Sequence, residues 1–172
     1  MNWYCLRTPR ERIVRSTALV VTIVTGMFVL SGCSPTVALE PAQDAASVGC
    51  ASVSARLPDA LDDGNGGEIA RRETSAQGTA AWGSPAIVLL RCGIEPPAAD
   101  PRCLNVDGID WIPDDTDAPN YRFITFGRDP AIEVIIDSEK ISGSTVLDNL
   151  NQAVNGLAPS GGLKCKDLQD VP

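Results

Sequence analysis

The rhythm of apolar and polar residues changes several times along the chain. Thr17 to Leu30 (TALVVTIVTGMFVL) is a run of 14 residues without a charge. It is shorter than the roughly 20 residues a membrane-spanning helix needs, and it matches the apolar core of an export signal. From Val48 to Arg56 the spacing becomes helical, with Cys50, Val53 and Leu57 on one face. Pro58 biases Leu57 out of the helix. Asp62 to Gly67 (DDGNGG) reads as a loop, and the charged stretch Glu68 to Thr74 as an edge strand. Trp82-Gly83-Ser84-Pro85 is a turn feeding Ala86 to Arg91 (AIVLLR), apolar without alternation, as in a strand buried on both faces. Leu104 to Ile112 resumes as a strand. Its Asp107-Gly108 pair reads as a bulge rather than a hairpin, because the flanks are short for two strands. After the acidic turn Pro113 to Pro119, Tyr121 to Phe126 and Ile132 to Ile136 form a hairpin about Gly127 to Pro130. A helix then starts at Ser142 to Ser144, with Thr145 as a cap for Asp148 three residues on. Val146, Leu147, Leu150, Val154 and Leu157 make its apolar stripe, and Gly156 suits its end.

The predicted order is helix, about five strands, helix. Strands joined by short turns pair antiparallel. The expected fold is therefore α+β: an antiparallel sheet of about five strands with two helices packed on one face, linked by disulfides.

The N-terminal run ends in Leu30-Ser31-Gly32-Cys33 and follows a basic segment with Arg7, Arg10, Arg12 and Arg15. Small residues before a cysteine let the chain lie extended in a peptidase, and the thiol then accepts a diacylglyceryl group. Residues 1–32 are read as a lipoprotein signal peptide and Cys33 as the lipidation site. Residues 33–47, with two prolines and no apolar period, are read as a flexible tether, and 48–172 as the extracytoplasmic domain. Residues 1–32 hold four arginines and one glutamate; the chain from Cys33 onward holds ten basic against 21 acidic residues, a net charge of −11. That charge disfavours nucleic acid as a partner. The expected partners are the membrane, through the anchor, and an envelope protein or cell-wall fragment.

Of the six cysteines, Cys5 lies in the signal and Cys33 takes lipid. Cys50, Cys92, Cys103 and Cys165 remain to pair in an oxidising compartment. Three pairings are possible. Cys92–Cys103, closing a proline-rich loop, and Cys50–Cys165, joining the domain ends, are favoured. No Cys-x-x-Cys pair is present, so no metal site is expected.

Histidine is absent and only Lys140, Lys164 and Lys166 supply amines. The usual general base and the nucleophile–histidine dyads are therefore missing, and the expectation is a non-enzymatic binding or assembly module of the cell envelope without a cofactor, with a ligand-binding lipoprotein for a cell-wall fragment or a carboxylate-based enzyme on envelope polymers as the alternatives. Asp107, Asp110, Asp114, Asp115 and Asp117 form a dense acidic stretch, read mainly as solvated turns, with acid–base work by paired carboxylates or Ca²⁺ binding as the alternatives if they converge. Trp82 and Trp111 sit at predicted strand ends, where they would enlarge the core or, if exposed, make a platform for a ligand. Arg91 and Arg128, beside turns, would pair with carboxylates or clamp an anionic ligand. These four are the candidate ligand residues.

The strings Ala81-Trp82-Gly83-Ser84-Pro85 to Arg91-Cys92-Gly93, Val106-Asp107-Gly108-Ile109-Asp110-Trp111 and Gly127-Arg128-Asp129-Pro130-Ala131 resemble an exported actinobacterial family, domain-of-unknown-function family 3515. The resemblance implies an envelope protein, secreted or membrane-anchored. It brings no activity and no catalytic residues.

Overall fold

A computed structural model describes residues 35–162 and 164–169. Residues 1–32, read above as a signal peptide, and Cys33 lie outside the described residues. The sheet contains β1 (Ala60–Asp62), β2 (Glu68–Arg72), β3 (Thr79–Trp82), β4 (Val88–Ile94), β5 (Leu104–Val106), β6 (Ile109–Asp114), β7 (Asn120–Thr125) and β8 (Ala131–Asp137). The helices are α1 (Val48–Ser54), α2 (Gly143–Val154) and α3 (Cys165–Gln169). All eight strands join one sheet in the order β1-β2-β3-β4-β8-β7-β6-β5, each pair antiparallel.

The sheet is curled into a half-barrel around α2. Flat, eight strands would span about 34 Å at about 4.8 Å per strand, far wider than one helix. Yet α2 touches both edge strands, β1 and β5, as well as β8. Its two polar ties confirm the closure. Asn149 Oδ1 accepts from the Asp62 amide at 2.9 Å, and Asn151 Nδ2 donates to the Asp107 carbonyl at 2.7 Å. Inside the curl lies the main core, which includes Val53 of α1, Trp82, Leu90, Val134 and Ile136 of the sheet, and the α2 stripe Val146, Leu147, Leu150 and Val154.

The α+β antiparallel expectation holds; the details differ. Eight strands replace five. Thr79–Trp82 (TAAW) forms β3 although two of its residues are alanine, because the flanking strands supply ladder partners and strand preference follows context. Asp107-Gly108 is a hairpin turn, not a bulge. Both residues have positive φ, 46° and 84°, and Val106 pairs with Ile109, the geometry of a two-residue turn. The short flanks suffice because β6 continues into a ladder with β7. The Thr145 cap is also absent: α2 starts at Gly143 with Ser142 as N-cap and no side-chain cap bond.

The disulfides are Cys50–Cys92 and Cys103–Cys165, with Cα separations of 5.6 and 5.2 Å. This corrects the expected pairing. Cys92 faces the main core beneath α1, alongside Cys50. Cys103 belongs to a second apolar cluster with Ile112, Cys165, Phe126 and Leu168. Ile112 alternates with Trp111, so this cluster lies on the outer face of the sheet. β4 and β5 are four positions apart in the sheet, about 19 Å along it, whereas a disulfide needs Cα atoms within about 7 Å.

The expected tether is in fact a strap bound to the domain. Val37 bridges to Thr74 in parallel, with the Val37 amide donating to Glu73 O at 2.8 Å and the Ser75 amide to Val37 O at 3.0 Å. Ser75 Oγ bonds both the amide and the carbonyl of Leu39. Ala45 is buried, and the Asp44 amide donates to Gly93 O at 3.0 Å. Glycine is required there. Gly93 has φ 102°, and a Cβ would come within 2.4 Å of Ala45 N. Prolines and small polar residues lowered the apolar signal, but extended backbone docks through its own amides and carbonyls.

Candidate functional site

An apolar cleft of about 390 Å³ opens between the first half of α2 and the strands β5, β7 and β8, within the roughly 300–1,000 Å³ typical of ligand pockets. Leu104 and Val106 line it from β5, Tyr121 and Phe123 from β7, and Ile136 from β8. Gly143, Ser144 and Leu147 of α2, with Ser138 before it, complete the wall. Strand alternation accounts for the set: Leu104 and Val106, and likewise Tyr121 and Phe123, are two residues apart and so share the inner face. Gly143 lets the helix start close to Phe123; a Cβ there would sit 3.1 Å from the ring. None of the lining side chains carries a charge. The polar groups are the hydroxyls of Tyr121, Ser138 and Ser144. Such a cleft can desolvate an apolar ligand and orient it by a few hydrogen bonds; it offers no acid–base pair.

The four candidate ligand residues lie elsewhere. Trp82 and Trp111 are fully buried in the main core, so they form no exposed platform. Trp82 Nε1 donates to Pro58 O at 3.2 Å, while Trp111 Nε1 finds no partner among the described residues. Both alternate with outward residues on their strands, and an inward-facing tryptophan fills the curl better than any other side chain.

Arg91 is engaged on the outer face. Its Nη2 lies 2.7 Å from Glu133 Oε2, and Arg122 Nε lies 3.2 Å from the other carboxylate oxygen. The Glu133 side chain is only 4% exposed, against 39% for Arg91 and 45% for Arg122. Two guanidinium groups thus cover one carboxylate while each arginine stays partly exposed. The expected pairing with a carboxylate is met by Glu133, the cross-strand partner of Arg91 on β8.

Arg128 is buried and donates to Leu157 O and, at 3.3 Å, to Asn155 Oδ1. It satisfies carbonyl and amide oxygens just past the end of α2, a position that favours a cation. Burial lowers its pKa from the usual arginine value, with the Asp110 charge opposing. No anionic ligand is needed to explain it.

The acidic residues serve turns. Asp110 accepts from Asn105 Nδ2 at 2.6 Å and from the Cys165 amide at 3.1 Å, holding α3 to the sheet. Asp114 accepts from the Thr116 hydroxyl and amide, and these bonds lower its pKa. Asp115 lies 3.5 Å from Arg102, and Asp107 takes the left-handed turn position. Among the described residues no group of three acidic or cysteine side chains is placed to hold a metal, and no helix is long and apolar enough to cross a membrane.

The family model for a protein of unknown function (DUF3515) matches residues 13–161. The chain belongs to that family. No curated protein and no solved structure matches it. The matched span covers every strand of the sheet and α2, so the half-barrel and its cleft are features of the family region of this chain.

Sequence reasoning missed the cleft. Its walls come from residues up to 43 positions apart, Leu104 and Leu147 among them. One signal was present: Leu104 and Val106 put two apolar side chains on one face of what proves to be an edge strand.

Proposed function

We propose that this protein is a membrane-anchored lipoprotein of the cell envelope, held through Cys33, and that its domain is a non-enzymatic binding module for an apolar ligand. The basic segment, uncharged run and Leu30-Ser31-Gly32-Cys33 string support the anchor. The uncharged cleft between α2 and β5 carries the binding reading, since it offers apolar surface and three hydroxyls and no general base. A cell-wall fragment bound on the tryptophans is disfavoured by their burial.

Two measurements test the halves separately. In the native host, incorporation of a fatty-acid label should be lost in Cys33→Ala; persistence of the label overturns the anchor. The full-length protein in detergent should displace an environment-sensitive apolar dye from solution into the cleft, and Val106→Lys should lower dye affinity at least tenfold without changing the far-ultraviolet dichroism. Equal affinity in the variant overturns the cleft as the binding site.

A further inference from the structure

The strap fixes where the chain leaves the domain. Because Val37 runs parallel to the continuation of β2 at Thr74, Thr36 and Pro35 lie back from it toward Arg72. Arg72 holds this exit: Nη2 donates to Pro35 O at 2.6 Å and Nη1 to Gly83 O at 2.9 Å. Only Ser34 separates Pro35 from Cys33, so the two Cα atoms lie within about 7.6 Å of each other at about 3.8 Å per residue. An anchor on Cys33 keeps this end of the sheet at the membrane surface. A free coil of the length expected for the tether would allow about 20 Å.

The cleft begins at the same end. One rung crosses the sheet through Arg71, Trp82, Val88, Ile136 and Tyr121. Beyond it lie the Gly83 turn, against which Arg72 holds Pro35, and the loop from Ser138 to Ser144. Tyr121 and Ile136 line the cleft on the rung, and Ser138 and Ser144 line it beyond. From there it runs inward past Phe123 to Leu104 and Val106. A second trough of about 460 Å³ shares Arg72 and Gly83 with the exit and has Ile69, Pro85 and Ile87 in its wall. The end also carries Asp62, Asp63, Asp115, Asp117 and Glu139 against Arg72 and Lys140, which repels anionic headgroups. Proximity there is covalent rather than electrostatic.

We infer that the cleft takes an acyl chain of a lipid in the leaflet that holds Cys33. The inference rests on the anchor reading and names the ligand class of the proposed cleft. An uncharged, elongated apolar wall suits a hydrocarbon chain, whereas a sugar or peptide would need more polar partners than three hydroxyls. The cleft opens at the same end of the sheet as the chain exit, though several strands away from it, and that shared end is what selects a membrane lipid over a soluble apolar molecule.

The test uses the full-length, host-processed protein in phosphatidylethanolamine–phosphatidylglycerol vesicles containing a phospholipid with a diazirine in one acyl chain. Mass spectrometry of the N-terminal peptide first shows whether Cys33 carries diacylglycerol; an unmodified Cys33 overturns the anchor reading itself. With Cys33 modified, photolysis should place phospholipid adducts on Leu104–Val106, Tyr121–Phe123 and Leu147. Ser144→Trp, an exposed position whose indole would plug the cleft, should reduce them at least fivefold, as should Ser138→Trp. Adducts confined to Ile69 through Ile87, or cleft adducts equally abundant in both variants, overturn the inference. So does finding the cleft occupied by the protein's own Cys33 acyl chains.

Discussion

Replacing Gly93 by alanine tests whether residues 35–47 are bound strap or free tether. Gly93 sits at φ 102°, and its new Cβ would lie 2.4 Å from Ala45 N and from Asp44 C. Both neighbours are backbone, so no side chain can swing aside. The left-handed conformation alone costs an L residue about 1–2 kcal/mol. Withdrawing the strap also loses the Asp44–Gly93 hydrogen bond, net about 1 kcal/mol. Re-exposing the methyl of Ala45, 5% exposed in the native state, adds about 0.8 kcal/mol. The expected loss is about 3–4 kcal/mol, set by the backbone cost, the lost bond and the exposed methyl. Gly108→Ala is the control: φ is 84° there, but nothing lies within 4 Å of the added Cβ, so only the backbone cost of about 1–2 kcal/mol applies. Urea unfolding of the full-length protein in detergent, disulfides intact, compares the two. Cleavage by a glutamate-specific protease at the exposed Glu40 should accelerate in Gly93→Ala and not in Gly108→Ala. Equal destabilisation, with equal cleavage at Glu40, would refute the bound strap.

Three further outcomes follow from named contacts. Glu133→Gln removes the shared charge between Arg91 and Arg122, both partly wet, and should lower stability by about 2 kcal/mol in urea titration; an unchanged midpoint would show that the outer-face triad contributes nothing. Cys103→Ser with Cys165→Ser should cost about 4 kcal/mol, the chain-entropy value for a loop closed over 62 residues, while a non-reducing peptide map still links Cys50 to Cys92. Asp114 has a folded pKa below the usual carboxylate value because Thr116 hydrogen-bonds its charged form, hydroxyl first. Its stabilisation is fully present above the unfolded value of about 3.9 and is lost as pH falls through the lower folded value. Asp114→Asn should therefore flatten the acid limb of the stability profile in that window, and a wild-type-like limb would count against the Thr116 bonds.

What could be read from the residues alone was whatever depends on neighbours in sequence. The 3.6-residue period of Val146, Leu147, Leu150 and Val154 located α2, and all four are buried. Turn residues at 127–130 located the β7–β8 hairpin. The antiparallel class followed from short connections. Misreadings arose where a long-range partner outweighed local preference. Ala80 and Ala81 are weak strand residues that pair because β2 and β4 flank them. The strap looked like a linker because its contacts are backbone hydrogen bonds, which leave no apolar signature.

The remaining features exist only in three dimensions. The curl of the sheet around α2 decides that Trp82 and Trp111 face the core and not a ligand. It sets Cys92 and Cys103 on opposite faces, so that each bonds a cysteine distant in sequence. It also brings Leu104, Phe123 and Leu147 around one cleft. Periodicity tells a side chain which face of its own strand or helix it occupies; only the ladder order and the closure of β1 and β5 onto one helix tell it what lies across that face.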